Sequence, residues 1–328
     1  MITLLEAQKQ LQDDLQIGVI DEFRKNNFLL DNLTFDDVVS PTGGGATMTY
    51  SYLRLTTQPT AQFRAINSEY TPQEVTKDKY YADLKVFGGS FQIDRIIANL
   101  GGAAKEVTLQ MQQKIKAAQA LFNDTVINGD SGTDANAFDG LEKALTGSST
   151  EDIPTDVIDL STSAAVDANY KYFLDALDEF LMGLDGQPTF IAGNVKLIAK
   201  IRACARRAGT YQTTKNDFGQ NVESYNNIPL VDLGAKSGSN DPVVSTQAAK
   251  LADGTTVNPN AGQTSLYAAR LAMDGLHGIS MAGQPPIKTW LPDFTTSGAV
   301  KTGEVEMVAA IALEATKAAG VMRKIKVQ

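Results

Sequence analysis

The chain has 328 residues, 43% of them hydrophobic and 20% charged, with a formal charge of -9 and a pI near 4.8. That length holds two compact domains or one elaborated one, and that composition excludes wholesale disorder and collagen-like repeats. The acidic balance argues against nucleic-acid binding, which needs clustered Lys and Arg to displace counterions, and a single cysteine, Cys204, excludes an intrachain disulfide and any multi-thiolate metal site.

Residues 3–26 read as an amphipathic helix, with Leu4, Leu11, Leu15, Val19 and Phe23 on one face and charges between them. This opening is too acidic and polar for a secretory signal. No apolar run approaches the ~18 residues of a membrane span, so a cytoplasmic chain is expected. "PTGGGATMTYSYLRLTT", from Pro41, breaks the period and leads into a β-rich run carrying Tyr50, Tyr52, Thr56 and Thr57. Its triple glycine lacks the Lys-Ser/Thr of a phosphate-binding loop and reads as a flexible loop. From Gln58 to Asp94 the chain alternates at both ends and is polar at its tip, the pattern of a long two-stranded excursion. A hairpin of that length is marginal alone and must pack on something, another subunit included.

Val107, Met111, Ile115, Ala118, Phe122 and Val126 then recur at three and four with no proline between them, which predicts one long helix over residues 103–127. "NGD" is expected to stop it, through the left-handed turn that Asn and Gly adopt at helix ends. The second half reads as mixed α/β. "YKYFLDALDEFLMG" is a helix, "PTFIAG" a strand, "NVKLIAKIRACARRAG" a helix closed by Gly209 and containing Cys204 as a small core residue, and "NIPLVDLG" a strand. A polar stretch over residues 235–264 precedes the short strands "SLYAARLA", "GLHGISMAG" and "PPIKTWLP". The end, "GEVEMVAAIALEATKAAGVMRKIKV", alternates as strands do, with its Ala-rich middle open to a helix.

Four stretches tempt a chemical reading. "INGDSGTDANAFDG" contains the Gly-Asp-Ser-Gly that surrounds the nucleophile of chymotrypsin-like proteases. Ser131 needs a base, however, and His277 is the one histidine. No Gly-x-Ser-x-Gly elbow frames the serine, which reads as a turn residue. His277, flanked by Gly275 and Gly278, reads as a packed or surface histidine. Asp130, Asp134, Asn136 and Asp139 space oxygens as calcium loops do, but Phe138 and Asp139 stand where a ligand and a glycine belong, so a solvated loop is expected. Lys196, Lys200, Arg202, Arg206 and Arg207 lie in a segment with no acidic residue from Gln187 through Asn216. They fit a solvated helix with dipole-matched ends, or a surface that meets an acidic neighbour. No catalytic, cofactor or metal residue is expected.

Five passages in order resemble the major capsid protein of tailed bacteriophages, the Hong Kong 97-like fold. "FRAINSEYTPQEV" with "LKVFGGSFQIDRIIAN" is similar to that family's extended loop and the approach to its spine helix. "MQQKIKAAQALFNDTVINGD…AFDGLEKAL" is similar to the spine helix and the turn after it. "RRAGTYQTTKNDFGQNVESYNNIPLVDLG" is similar to the central-domain helix, loop and strand. "SLYAARLAMDGLHGIS" and the closing "GEVEMVAAIALEATKAAGVMRKIKV" are similar to the return to the peripheral domain.

The resemblance implies an α+β chain divided into an N-terminal arm (1–57), an extended β-loop (58–94), a peripheral domain holding the spine helix (95–168 and 292–328) and an α/β axial domain (169–291). It implies a structural protein without enzymatic activity, assembling into hexamers and pentamers of an icosahedral shell around phage DNA. The place would be the virion capsid, built in the bacterial host cytoplasm, and an acidic shell suits packed DNA that it must not bind. A separate scaffolding protein, a portal and a decoration protein are the implied partners. Arg64, Glu69, Lys77, Lys79, Lys85, Arg202, Arg206 and Arg207 are the subunit-contact candidates. Some members of the family link a loop lysine to a late asparagine. Lys77, Lys79 and Lys85 are donors here, but no asparagine follows Asn260, so no cross-link is expected. Encapsulin compartments, which share the fold, are the alternative, and a hydrolase using Ser131 is a distant third.

Overall fold

The computed structural model describes residues 28–40, 47–99, 103–209, 212–215, 221–251 and 255–328; the helix expected over residues 3–26 and the triple-glycine loop lie outside them.

The longest helix is Ala103–Asn128, as the spacing predicts. Met111, Ala118, Phe122 and Val126 are buried on one side of it, and Phe122 meets Phe35, Phe87 and Phe138 at ring separations of 6.2, 6.2 and 5.8 Å. This helix lies against a five-stranded sheet whose central strand is Val300–Leu313. Lys85–Asp94 pairs with one edge of that strand. Ile287–Trp290 and Leu276–Met281 pair in succession with the other, and Phe35–Val39 runs parallel to Leu276–Met281. The first half of Val300–Leu313 alternates buried and exposed side chains, because one face meets the long helix and the other meets water. The second half is buried throughout, where further segments cover it. The Ala-rich middle is therefore strand, and only Thr316–Ala318 makes a helical turn.

An eight-stranded sheet forms the second layer, in the order Glu151–Asp152, Ala319–Lys326, Gln263–Ala269, Phe190–Ala192, Ile228–Val231, Asn221–Tyr225, Gln212–Lys215, with Ile158–Asp159 also on Ala319–Lys326. Period-two alternation makes this sheet a partition. Leu266, Ala268, Ile191 and Met322 point into a core with Phe173 and Leu177 of helix Ser163–Met182 and with Leu197, Ile201 and Cys204 of helix Val195–Ala208. Tyr267, Ala269, Phe190, Ala192 and Val321 point the other way, into the core of the long helix. Cys204 is a core residue, and burial pushes its thiol up to about 11. Both helices are capped as their sequences dictate. Thr162 Oγ1 and Asn194 Oδ1 accept the Ala165 and Lys196 amides at 3.1 and 2.9 Å, and Gly209 closes the second in the left-handed region at φ 72°.

At the edge of the partition, Arg323 donates to Glu142 at 2.7 Å and to Glu151, and the Tyr267 hydroxyl donates to the same Glu142 carboxylate. Four elements from distant parts of the sequence meet at that one half-buried guanidinium, whose planar fork suits two carboxylates at once.

The structure differs from expectation in three places. The two-stranded excursion pairs Thr49–Leu55 with Lys77–Asp83, while Lys85–Asp94 leaves it for the five-stranded sheet. Leu84, 4% exposed, is the anchor at which the chain changes partner. Leu276–Met281 and Ile287–Trp290 lie in the five-stranded sheet and Ala319–Lys326 in the eight-stranded one, so the sheets exchange these segments relative to a division at 169 and 292. Finally, Asn128 and Gly129 are not left-handed. Gly129 continues the helical bonding to Thr125 O at 2.9 Å, and its own carbonyl accepts the Gly140 amide at 2.8 Å. The helix stops because the returning chain crosses it, which only residues without a Cβ allow.

Candidate assembly surfaces

Among the described residues, the ribbon of Thr49–Leu55 and Lys77–Asp83 is fastened to the body at its root. The Tyr50 hydroxyl donates to Glu314 Oε1 at 2.7 Å, the Tyr52 hydroxyl to Leu313 O at 2.9 Å, and Arg54 to Leu313 O and Glu314 O at 2.7 and 2.9 Å. Tyr52 and Tyr80 stack across the strands at 5.7 Å, with the Arg54 guanidinium 4.3 Å over the Tyr80 ring. A cavity of about 390 Å³ opens between this root and the loop of residues 131–144. Behind Tyr50 stands His277, within a strand and fully buried, so the packed alternative is the one realised. Its ring is edge-on to Tyr50 at 5.7 Å, and neither ring nitrogen has a hydrogen-bond partner among the described residues. A polar group left so costs about 1–3 kcal/mol.

Beyond the root the ribbon leaves the body. Residues 56–76 form no sheet, yet they hold a shape. Thr57 and Thr76 hydroxyls meet at 2.8 Å, Gln73 Oε1 accepts the Thr60 amide at 2.7 Å, and the Ser68 amide closes a turn onto Ala65 O with Asn67 at φ 68°. Arg64 joins that turn by donating to Ser68 O at 3.2 Å and lies over the Tyr70 ring; Glu69 is exposed beside it. Phe63 is fully exposed and Ile66 91% exposed, with Tyr70 and Val75 also open to solvent. The outward face of the strands carries Leu53, Leu55 and Tyr81 opposite or beside Lys77 and Lys79. Large apolar groups at the end of a preshaped arm make it the candidate contact surface.

The remaining candidates are scattered. Lys85 is at the root, donating to Ala135 O at 2.9 Å, and does not travel with the ribbon lysines. On helix Val195–Ala208, Arg202 pairs with Glu223 at 2.5 Å, Arg207 with Asp167, and Lys200 donates to Ser161 O at 2.7 Å. Much of that basic run is met within the chain, and Arg206 is left on the surface. The acidic partners Asp167 and Glu223 lie on flanking elements, which no reading of the helix alone reveals.

Ser131 sits in a closed web of ions. Its Oγ accepts from Lys143 Nζ at 3.0 Å, and that ammonium is shared by Asp130 and Asp139 at 2.8 Å each. Both carboxylates raise the lysine's pKa, so the ammonium bonded to the hydroxyl is held as a cation and cannot take its proton, while Asp139 beside it is held below its ordinary value and is a weak base. We expect no labelling of Ser131 by a fluorophosphonate probe under conditions that label trypsin; a labelled Ser131 peptide would overturn this. The calcium reading fares likewise. Asp130 Oδ1 accepts the Gly132 amide and Asp134 Oδ1 the Asn136 amide, each at 2.9 Å, and no cluster of three potential ligands occurs among the described residues.

No family model and no curated protein matches the chain. Solved structures do. The subunit of the holo-SrpI encapsulin complex from Synechococcus elongatus PCC 7942 is similar over 100% of this chain and 97% of its own, with a TM-score of 0.65 at 14% identity. The capsid of the native GTA particle matches 96% of this chain and 95% of its own (TM-score 0.59, 10% identity), and the capsid of Myoviridae phage XM1 matches 99% of each (TM-score 0.56, 11% identity). The fold is the Hong Kong 97-like capsid fold. Ala103–Asn128 stands where the resemblance expects a spine helix, and the ribbon shares residues 58–83 with the stretch expected as the extended loop. Full-length coverage at so low an identity shows a common architecture.

Proposed function

We propose that this chain is a structural subunit that associates with copies of itself into the hexamers and pentamers of a closed icosahedral shell, the major capsid protein of a tailed phage. The observation that carries this is the ribbon. It holds Phe63, Ile66 and Tyr70 away from the subunit's own core, in a shape maintained by its own hydrogen bonds, and a neighbour is what gives such an arm its use. In this reading Arg64, Glu69, Lys77, Lys79, Lys85, Arg202, Arg206 and Arg207 flank subunit contacts, residues 1–57 are the arm and 58–94 the loop. The peripheral domain is built on the five-stranded sheet with the spine helix (95–168 and 292–328 in outline) and the axial domain on the eight-stranded sheet (169–291 in outline). Scaffold, portal and decoration proteins are separate partners, and the shell is assembled in the host cytoplasm.

A second reading, a protein compartment, is supported by the encapsulin likeness at a TM-score of 0.65. Negative-stain microscopy of the expressed chain tests both, since either predicts rings or closed shells and a monodisperse monomer contradicts both. The contents separate them: nucleic acid in particles from the native source supports the capsid, a packaged enzyme the compartment. With no asparagine after Asn260 to accept a loop lysine, mature particles are expected to give a single monomer band on reducing, denaturing electrophoresis. A ladder of multiples would show a covalent link that this chain's late strands do not provide for.

A further inference from the structure

We propose that His277 is an acid-operated latch at the root of the ribbon, whose protonation breaks the Tyr50 anchor and frees the ribbon to swing away from the five-stranded sheet. The proposal goes beyond shell building and holds for the subunit whether or not it assembles.

His277 is the only histidine in the chain. It is 0% exposed within strand Leu276–Met281, and neither Nδ1 nor Nε2 finds a partner among the described residues. Folding has buried a ring that offers one donor and one acceptor, and no described residue pairs with either. An apolar ring would fill that space at no such cost. What imidazole adds is a change of charge near neutrality.

The ionisable groups that act on it come from each element around it. Asp36 lies on the neighbouring parallel strand Phe35–Val39, whose register sets Phe35 beside Gly278 and Asp36 beside Ile279. Glu314 follows the end of Val300–Leu313, the strand that pairs Ala312 with His277. From the ribbon come Tyr50, in ring contact, and Arg54, whose guanidinium is engaged by the main-chain oxygens of Leu313 and Glu314. Burial lowers the pKa of His277, and Glu314 and Asp36 pull it partly back. The native fold therefore favours the neutral ring. The latch is intact above the unfolded value of about 6.5 and is lost as pH falls through the lower native one.

Once charged, the ring donates from both nitrogens in a place where an unpaired charge is not tolerated. The carboxylate that pulls on it most strongly is Glu314, and Glu314 Oε1 already holds the Tyr50 hydroxyl at 2.7 Å. Either Glu314 turns to the imidazolium and drops Tyr50, or the imidazolium moves toward water and displaces the Tyr50 ring that covers it. Both routes remove the same anchor. The ribbon then pivots on the Tyr52 and Arg54 bonds to Leu313 and Glu314.

Hydroxyl-radical footprinting of the full chain, read by mass spectrometry from about pH 7.5 to about pH 5, tests this. Oxidation of Tyr50 is expected to rise severalfold in acid. In His277→Phe the Tyr50 rate stays flat, and in Glu314→Gln the midpoint of the rise moves to lower pH because the supporting carboxylate is gone. A wild-type rate that does not change, or an acid rise that survives in His277→Phe, overturns the latch. If His277→Phe does not fold, His277→Gln takes its place with the same two outcomes. Micrographs of the same samples at neutral pH report separately on the shell, so a failure of that reading is not mistaken for a failure of this one.

Discussion

Replacing Phe63 and Ile66 together by serine is expected to abolish rings and shells while leaving the subunit's stability within about 0.5 kcal/mol of the unmodified chain, the ordinary range for surface substitutions. Neither side chain contributes to the folded subunit, since one is fully and the other 91% exposed. The bonds that shape the tip run instead through Thr57, Thr60, Gln73, Thr76 and the Ala65–Ser68 turn. Burying an aromatic anchor at a neighbour is worth about 2 kcal/mol or more. In a ring each subunit both gives and receives one arm, so the loss recurs at every contact and closure fails well before folding does. Sedimentation velocity and thermal unfolding on the same preparation separate the two effects. Particles of normal yield from the double variant would mean that the tip is not an interface, and the ribbon's role in assembly would have to be abandoned.

What the sequence makes legible follows from periodicity. The long helix is readable because Met111, Ala118, Phe122 and Val126 hold one stripe through about four turns, and the late strands because Val305, Met307 and Ile311 alternate. Partner choice is another matter. Thr49–Leu55, Lys77–Asp83 and Lys85–Asp94 all alternate, and nothing in the pattern says that the first two pair with each other while the third joins Val300–Leu313. Partition strands present the same difficulty: Leu266 and Tyr267 are both buried, in different cores, so the run reads as uniformly apolar. The candidate site was legible in part. A polar excursion that needs a neighbour is visible from composition alone. Pairing of Arg207 with Asp167, capture of Lys85 by Ala135 O and burial of His277 are long-range facts. Lys143 is twelve residues from Ser131, and their contact depends on the closure of the loop between them, which no periodic pattern signals.

Gly129→Ala adds a single methyl and is expected to cost much of the chain's stability. An added Cβ would lie 2.2 Å from Phe138 O and 2.5 Å from Thr125 O, both backbone atoms that no rotamer change can move. The matching position across the neck, Gly140, would meet Thr125 O at 2.5 Å. These two glycines let the chain cross itself, so that the ten residues between them form a compact loop with touching ends. Flanking the neck, Ile127, Phe138 and Leu141 are all buried in the main core, and prising the crossing apart moves them too. We expect a loss of roughly 3 kcal/mol or more, beyond the usual cost of overpacking, seen as a fall of several degrees in the thermal midpoint. Gly132→Ala supplies the control three residues on. There the new Cβ meets only Asp130 Oδ1 at 3.2 Å, the end of an exposed side chain, and the expected change is within about 0.5 kcal/mol. Equal midpoints for the two variants would mean that the neck is slack and that the polar loop, rather than the crossing, ends the spine helix. A large difference would assign the Gly-Asp-Ser-Gly stretch its role: its first glycine is kept for the absence of a side chain, and its serine is incidental.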